Sequence, residues 1–250
     1  MLLAIDAGNS NIKLALFAGA ELVASGRVPT GAGGDGGDCA AEMRKLAGDR
    51  SPEAVVIASV VPALNPLLTR LSEDSFHVTP IFVDHTTPAG LKIVYDSPAD
   101  LGADRIVDAV AAVAGYGAPC IVVDFGTATT FNAIKGDGSF IGGAISPGLA
   151  TCSEALFART AKLPRVTVER PASVIGSSTV MALKSGLYYG YAGLVDGILE
   201  RMIAELDSQP RVVATGGQAH SIAPASRYIE ELRDNLTLEG LRIVYERIKS

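Results

Sequence analysis

The sequence predicts an α/β protein built from two related halves with a cleft between them. Residues 2–28 and 120–146 share one plan: an apolar strand that ends in an aspartate, a polar turn with glycine, and two further strands. The segments Asp6–Gly8 and Asp124–Gly126 repeat the same spacing within that plan. Apolar residues at helical spacing in the rest of the chain supply the α component. The alternative to duplication is chance, because hairpins with glycine turns are common.

The first half alternates short apolar runs with helical patterns. Strands are predicted at Leu2–Ile5, Ile12–Phe17, Glu21–Val28, Ala54–Val61 and Ile81–Val83, and helices near Cys39–Leu46 and Pro62–Leu71. Gly31–Gly37 is predicted to be a connector. No Gly-Lys pair occurs in the chain, which excludes a Walker A phosphate loop. Ser97-Pro98-Ala99-Asp100 matches a helix start with a capping box, and the helix is predicted to end near Gly115 and Gly117.

The second half repeats the strand pattern and then becomes helical. Strands are predicted at Cys120–Asp124, Thr129–Ile134, Ser139–Ile145 and Arg211–Ala214. The apolar stretch Val180–Leu206 carries a glycine row, which predicts close helix packing; its members are Gly186, Gly190, Gly193 and Gly197.

Composition and charge exclude several classes of protein. Hydrophobic residues make up 48% of the chain, which is enough for a packed core. A net charge of −6 disfavours general nucleic-acid binding. Gly138–Ser153 is uncharged but too short and too rich in glycine and proline to span a bilayer. Three widely separated cysteines predict reduced thiols, and the three histidines lack the spacing of a zinc site. The start of the sequence is unlike a signal peptide, so we expect a soluble cytoplasmic protein.

Three motifs suggest chemistry. The turn Asp6–Asn11 can direct backbone N–H groups at a phosphate, although an ordinary β-turn is an equally simple interpretation. Asp124–Thr130 offers a second carboxylate and three threonine hydroxyls, so two such loops could hold a triphosphate. Tyr95–Arg105 brings a tyrosine, an acid and a guanidinium together at a helix start. There Asp104 could accept a proton and Arg105 could bind an anion. The alternative is an exposed helix with surface charges, with Asp104 and Asp108 on one face.

These motifs together resemble those of the type III pantothenate kinases, in the superfamily of actin, sugar kinases and heat-shock ATPases. The resemblance covers essentially the whole chain, and its segments occur in the family's order: Asp6–Lys13, Gly102–Arg105, Asp124–Thr130, Gly143–Gly148 and Thr215–Gly217. It implies two ribonuclease-H-like, actin-like ATPase subdomains, expected at residues 1–115 and 116–250, with the nucleotide in the cleft. It also implies a homodimer that phosphorylates pantothenate with ATP, the first step of coenzyme A synthesis.

The resemblance also implies roles for single residues. ATP would be bound by Asp6, Ala7, Gly8, Asn9, Ser10, Asn11, Ile12, Lys13 and Thr127. Pantothenate would be bound by Tyr95, Gly102, Ala103, Asp104, Arg105 and Thr179, with Asp104 as general base. Asp124 would help to hold a monovalent cation such as potassium or ammonium, Mg²⁺ would accompany ATP, and Thr215–Gly217 would lie near the nucleoside. Lys13 lies in an alternating strand, so it could instead point into solvent.

Two other functions remain open from the sequence. One is a non-enzymatic regulator of the same fold that binds nucleotide, and the other is a sugar kinase of the superfamily. The polar cluster Tyr95–Arg105 favours an enzyme, because a nucleotide switch needs no second polar pocket beside the phosphates.

Overall fold

A computed structural model describes residues 1–31, 36–206 and 208–249. The strands are β1 (Leu2–Ala7), β2 (Asn11–Ala18), β3 (Glu21–Pro29), β4 (Ala54–Ser59), β5 (Ile81–Phe82), β6 (Lys92–Ile93), β7 (Cys120–Phe125), β8 (Ala128–Ile134), β9 (Ser139–Pro147), β10 (Arg211–Thr215) and β11 (Glu231–Leu232). The helices are α1 (Gly37–Ala47), α2 (Asn65–Phe76), α3 (Ala103–Tyr116), α4 (Leu149–Arg159), α5 (Thr179–Leu206), α6 (Ala219–Ile222) and α7 (Leu236–Lys249).

The chain divides into two compact units. Unit 1 comprises Met1–Gly115 and Asn235–Ser250, and unit 2 comprises Tyr116–Asp234. Helix α7 therefore belongs to unit 1. It packs on β1 and β4, and a Cβ on Gly240 would lie only 2.1 Å from the carbonyl oxygen of Val107 in α3.

Unit 1 is built on a sheet with strand order β3-β2-β1-β4-β5. Strands β1, β2 and β3 are antiparallel neighbours, whereas β4 is parallel to β1 and β5 is parallel to β4. Every residue of β1 is buried, because it lies in the middle of the sheet with helices packed against it. The fully buried side chains of its core include Leu3, Ile5, Leu14, Met43, Ile57 and Leu68.

Unit 2 repeats this arrangement. Its strands follow the order β9-β8-β7-β10-β11, with β7, β8 and β9 antiparallel and with β10 and β11 parallel to β7. The two units thus share strand order and strand direction, which is the ribonuclease-H-like arrangement. The predicted duplication is confirmed, because unrelated hairpins would not reproduce five strands in one order.

One local prediction needs correction, one stays a prediction and one lies partly outside the described residues. The proposed helix start at Ser97 is instead a separate 3₁₀ turn, Pro98–Asp100, and α3 begins at Ala103 after an extended residue. Outside α5 itself, no atom of the described residues lies within 4 Å of the Cβ position at Gly186, Gly190 or Gly193, so close packing of the glycine row against another helix stays a prediction. The predicted connector Gly31–Gly37 includes residues 32–35, which lie outside the described residues.

In the part of the chain described here, no helix combines the length and the apolar character needed to cross a membrane. The 28-residue helix α5 is the longest of the seven helices given above. One side of α5 packs into the core of unit 2, where Leu187, Tyr191, Val195 and Leu199 are buried.

Candidate functional site

The first candidate phosphate loop, loop 1, joins β1 to β2 and consists of Gly8, Asn9 and Ser10. The Gly8 N–H donates a hydrogen bond of 3.0 Å to the Asn11 carbonyl, which closes the turn. Asn9 and Ser10 are exposed to solvent. Ala7 and Ile12 have side chains in the core, so only their backbone groups could reach a ligand.

Lys13 does not point freely into solvent. It stands opposite Asp6 in the β1–β2 register, and its Nζ lies 3.5 Å from Asp6 Oδ2. Burial raises the pKa of Asp6 to about 6; Lys13 opposes this shift, and Asp104 adds to it. Loop 1 therefore begins beside a carboxylate, an ammonium group and a second carboxylate within electrostatic reach.

Asp104 occupies the first turn of α3, where the helix dipole favours a negative charge. Its Oδ1 accepts a 2.7 Å hydrogen bond from the Arg105 N–H. Burial nevertheless raises the pKa of Asp104, against the lowering effects of Arg105 and Lys13. A Cβ on Gly102 would lie 2.5 Å from Asp104 Oδ1, so a larger residue at that position would displace this carboxylate.

The remaining predicted substrate residues of unit 1 form one cluster with Asp104. The Arg105 guanidinium lies 5.9 Å from the centre of the Tyr95 ring, within cation–π range. Arg105 and Asp108 are both buried, at 7% and 1% exposure, so the alternative of an exposed helix with surface charges is wrong. Ala103 is buried beside them, and its backbone is the part that could contact a substrate.

The second candidate loop, loop 2, joins β7 to β8 and consists of Gly126 and Thr127. The Gly126 N–H donates to the Ala128 carbonyl at 3.1 Å, and the Thr127 side chain is exposed. Asp124 precedes the loop as Asp6 precedes loop 1. Its partner in the β7–β8 register is Thr130 rather than a lysine.

Thr215 and Gly216 pack against Asp124. Thr215 stands beside Asp124 in the parallel β7–β10 register and is 1% exposed. Its Oγ1 is buried, and among the described residues it has no hydrogen-bond partner. Gly216 has a φ of 95°, and a Cβ there would lie 2.3 Å from Asp124 Oδ1. Carboxylate and hydroxyl oxygens are the donors that hard cations prefer, so these residues fit the monovalent cation that the family resemblance implies.

Thr179, the remaining predicted substrate residue, is exposed at the start of α5 in unit 2. It lines an apolar cavity of about 370 Å³ together with Leu156, Leu163, Leu183 and Gly186. Several large apolar side chains nearby in sequence are exposed, and Ile175 is the most exposed at 87%. This surface is defined here as the α4–α5 face: Leu156, Phe157, Val174, Ile175, Val180 and Met181.

The sequence did not predict the residues that form hydrogen bonds to the two loops. Thr30 donates from Oγ1 to the Gly8 carbonyl at 2.6 Å and from its N–H to the Ser10 carbonyl at 3.1 Å. In unit 2, Thr151 Oγ1 donates to the Thr127 carbonyl at 2.7 Å, and Gly148 N–H donates to the same oxygen at 3.0 Å. Their place in the chain could have identified them, because Thr30 and Gly148 each directly follow the third strand of the repeated pattern.

Comparisons with known proteins agree with these structural features. The type III pantothenate kinase family model matches residues 2–201. The chain is 49% identical to the type III pantothenate kinase of Geobacter sulfurreducens over 252 residues, covering 99% of each protein.

Two solved structures share the fold. The putative Baf family transcriptional activator from Campylobacter jejuni matches with a TM-score of 0.61 and 18% identity, covering 98% of this chain and 97% of that one. The putative 2-dehydro-3-deoxygalactonokinase from Sinorhizobium meliloti matches with a TM-score of 0.58 and 12% identity, covering 99% and 98%. The fold is that of the actin-like ATPase and sugar kinase superfamily, and the chain belongs to the type III pantothenate kinase family.

Proposed function

We propose that the chain transfers the γ-phosphoryl group of ATP to the terminal hydroxyl of pantothenate, the first step of coenzyme A synthesis. The observation that carries this proposal is the cluster of Asp6, Lys13 and Asp104. In it, the half-buried carboxylate of Asp104 lies within electrostatic reach of Asp6, close to the start of loop 1. Membership of the pantothenate kinase family supports the choice of acceptor. The reaction would take place in the cytoplasm, which suits three cysteines without disulfides.

ATP would be bound by the residues that the family resemblance implies. We assign the phosphates to the backbone and polar side chains of Asp6–Lys13 and to Thr127. Asn9, Ser10 and Thr127 are exposed donors, whereas Ala7 and Ile12 would contribute backbone groups. Lys13 is paired with Asp6, so it would balance the charge of that carboxylate as well as that of the phosphates. Phosphoryl transfer depends mainly on such alignment and neutralisation of charge.

Pantothenate would be bound by Tyr95, Gly102–Arg105 and Thr179. Arg105 carries a permanent positive charge that suits the substrate carboxylate. Asp104 would accept the proton of the attacking hydroxyl as the new O–P bond forms and the bond to ADP breaks; the proton then passes to solvent. Because burial raises its pKa, Asp104 is a stronger base than an exposed aspartate, although it must be ionised to act.

Two kinds of cation complete the proposal. Mg²⁺ would accompany the ATP phosphates near Asp6. A monovalent cation would be held by Asp124, beside the buried hydroxyl of Thr215. These ions would neutralise phosphate charge that the two strand-end carboxylates would otherwise repel. The donor oxygens and the Gly216 packing described above support this assignment.

The decisive test is an acceptor panel. Purified protein is incubated with MgATP and with pantothenate, simple sugars or no acceptor, each with potassium or with sodium alone. Mass spectrometry should detect phosphopantothenate, and only when pantothenate is present. Phosphorylation of a sugar would instead identify a sugar kinase, and nucleotide binding without acceptor phosphorylation would identify a regulator.

We also propose that the protein is a homodimer that uses the α4–α5 face. Exposed apolar side chains at this face and the unfilled space beside Gly186 and Gly190 suit a second copy of the chain. One chain has a mass of 25.8 kDa, and sedimentation at micromolar concentration should give twice that mass. Ile175→Asp should shift the protein towards monomer. A wild-type mass near that of a single chain would contradict the proposal. Lys92→Asp, at another exposed site, is a suitable control.

A further inference from the structure

The two loops are held by the same kind of contact. In each unit the third strand of the pattern ends in proline: β3 at Pro29 and β9 at Pro147. The next residue, Thr30 or Gly148, donates its backbone N–H to a carbonyl of the neighbouring loop, at 3.1 Å and 3.0 Å. A threonine hydroxyl adds a second hydrogen bond to the loop in each case. A contact repeated in two diverged units points to a shared requirement.

Loop 1 receives both bonds from one residue. Thr30 Oγ1 donates to the Gly8 carbonyl at 2.6 Å, while its N–H donates to the Ser10 carbonyl. These two carbonyls lie at the two ends of loop 1. The single residue Thr30 therefore fixes the loop at both ends, and its side chain supplies one of the two bonds.

Loop 2 receives its bonds from the start of α4. The carbonyl of Thr127 accepts from both Gly148 N–H and Thr151 Oγ1. A threonine in a helix ordinarily donates its hydroxyl to the carbonyl one turn earlier. Thr160, at the end of α4, bonds in this way to Leu156 at 2.8 Å, whereas Thr151 bonds to a loop 24 residues away. The Thr151 contact thus serves the loop rather than the helix.

We propose that Thr30 and Thr151 are positioning residues that fix the loop peptides for the phosphates of ATP. The inference rests on the proposed binding of ATP at these loops. Because a peptide unit is planar and trans, fixing the Thr127 carbonyl also fixes the opposite direction of the Ala128 N–H. Fixed N–H groups bind an anion without the entropy cost of ordering a loop. Neither threonine is a catalytic residue.

The experiment measures binding of a non-hydrolysable ATP analogue by calorimetry, with Mg²⁺ and potassium present. Thr30→Val and Thr151→Val keep the side-chain shape and remove the hydroxyl, and each should raise the Kd roughly threefold to tenfold. Steady-state kinetics should show the same rise in KM for ATP, with KM for pantothenate within twofold of wild type. Thr30→Ser and Thr151→Ser retain the hydroxyl and should restore nucleotide affinity.

Matched controls separate this role from general stability. Thr69→Val in unit 1 and Thr160→Val in unit 2 each remove a threonine hydroxyl that donates to the carbonyl four residues earlier, and both should leave the Kd unchanged. Thr30→Ala and Thr151→Ala remove the same bonds if a valine variant fails to fold. A Kd within twofold of wild type in either loop variant would overturn the proposal. Absence of nucleotide binding by the wild type would instead overturn the proposed function.

Discussion

Loop 1 and loop 2 occupy equivalent places in two units of the same strand order, yet the charges beside them differ. Asp6 faces Lys13 across its strand pair at 3.5 Å, whereas Asp124 faces Thr130 in the same register position. Asp104 adds a further carboxylate near loop 1. The strand frame and the backbone N–H bond from the residue after the third strand recur in both units, whereas the side chains beside the loops differ.

This difference suggests a division of labour. Unit 1 gathers the groups that could move a proton, and the positive charge beside its aspartate is built into the chain as Lys13. Unit 2 offers oxygen donors at Asp124 and Thr215, where the proposed monovalent cation would be held.

The largest expected effect concerns the base in unit 1. Asp104→Asn keeps the size of the side chain but cannot accept a proton, so kcat should fall by about 10²–10⁴. Affinity for ATP should survive, because the loop contacts remain. Asp100→Asn, at an exposed acid in the same segment, is the control and should change kcat less than twofold. A fall of less than about tenfold for Asp104→Asn would mean that Asp104 only positions substrate.

A smaller effect tests the frame around loop 2. Gly148 has φ −66° and ψ 160°, which alanine adopts freely, but its Cβ would lie 2.4 Å from the Gly126 carbonyl oxygen. Overpacking of this kind costs about 1–3 kcal/mol, so Gly148→Ala should raise KM for ATP roughly tenfold. Gly136→Ala meets only an ordinary contact at 3.9 Å and serves as control. Equal kinetics for the two variants would show that loop 2 tolerates displacement.

The pH dependence of kcat/KM tests the effect of Lys13 on the two carboxylates near loop 1. The Lys13 ammonium lowers the pKa of both Asp6 and Asp104. In Lys13→Met both pKa values should rise, so the acidic limb of kcat/KM should move to higher pH, because ionised carboxylates are needed. Lys13→Arg should keep the wild-type limb. An unshifted profile in Lys13→Met would mean that neither carboxylate controls the rate.

Stability should respond to pH through Asp6 as well. Its folded pKa of about 6 lies above its ordinary value of 3.8, so the native state binds more protons between those values. The contribution of Asp6 to stability is therefore greatest below about pH 4 and is lost as pH rises through 6. Thermal unfolding from pH 4 to 7 should show this loss, and Asp6→Asn should flatten it. An identical slope in Asp6→Asn would contradict the assigned pKa.

Much of this architecture could be predicted from local sequence. The strands around Asp6 and Asp124 were visible because alternating apolar runs and glycine turns are local signals. The burial of Arg105 was not, since it depends on packing between distant segments. The pairing of Lys13 with Asp6 was not either, because it depends on the register of the β1–β2 hairpin. The contacts from Thr30 and Thr151 were missed for the same reason: a hydroxyl that bonds to a loop 22 or 24 residues away leaves no local pattern.

Potassium titration of the two aspartate variants tests the division of labour most directly. The measurement is the potassium concentration that gives half-maximal phosphorylation of pantothenate in Asp124→Asn and in Asp6→Asn, with sodium holding ionic strength constant. We expect Asp124→Asn to raise this concentration roughly tenfold or more, or to abolish the potassium response. A tenfold rise is equivalent to ~1.4 kcal/mol of lost cation binding. Asp6→Asn should lower activity but leave the concentration within twofold of wild type. Equal shifts in both variants, or no shift in Asp124→Asn, would contradict the account.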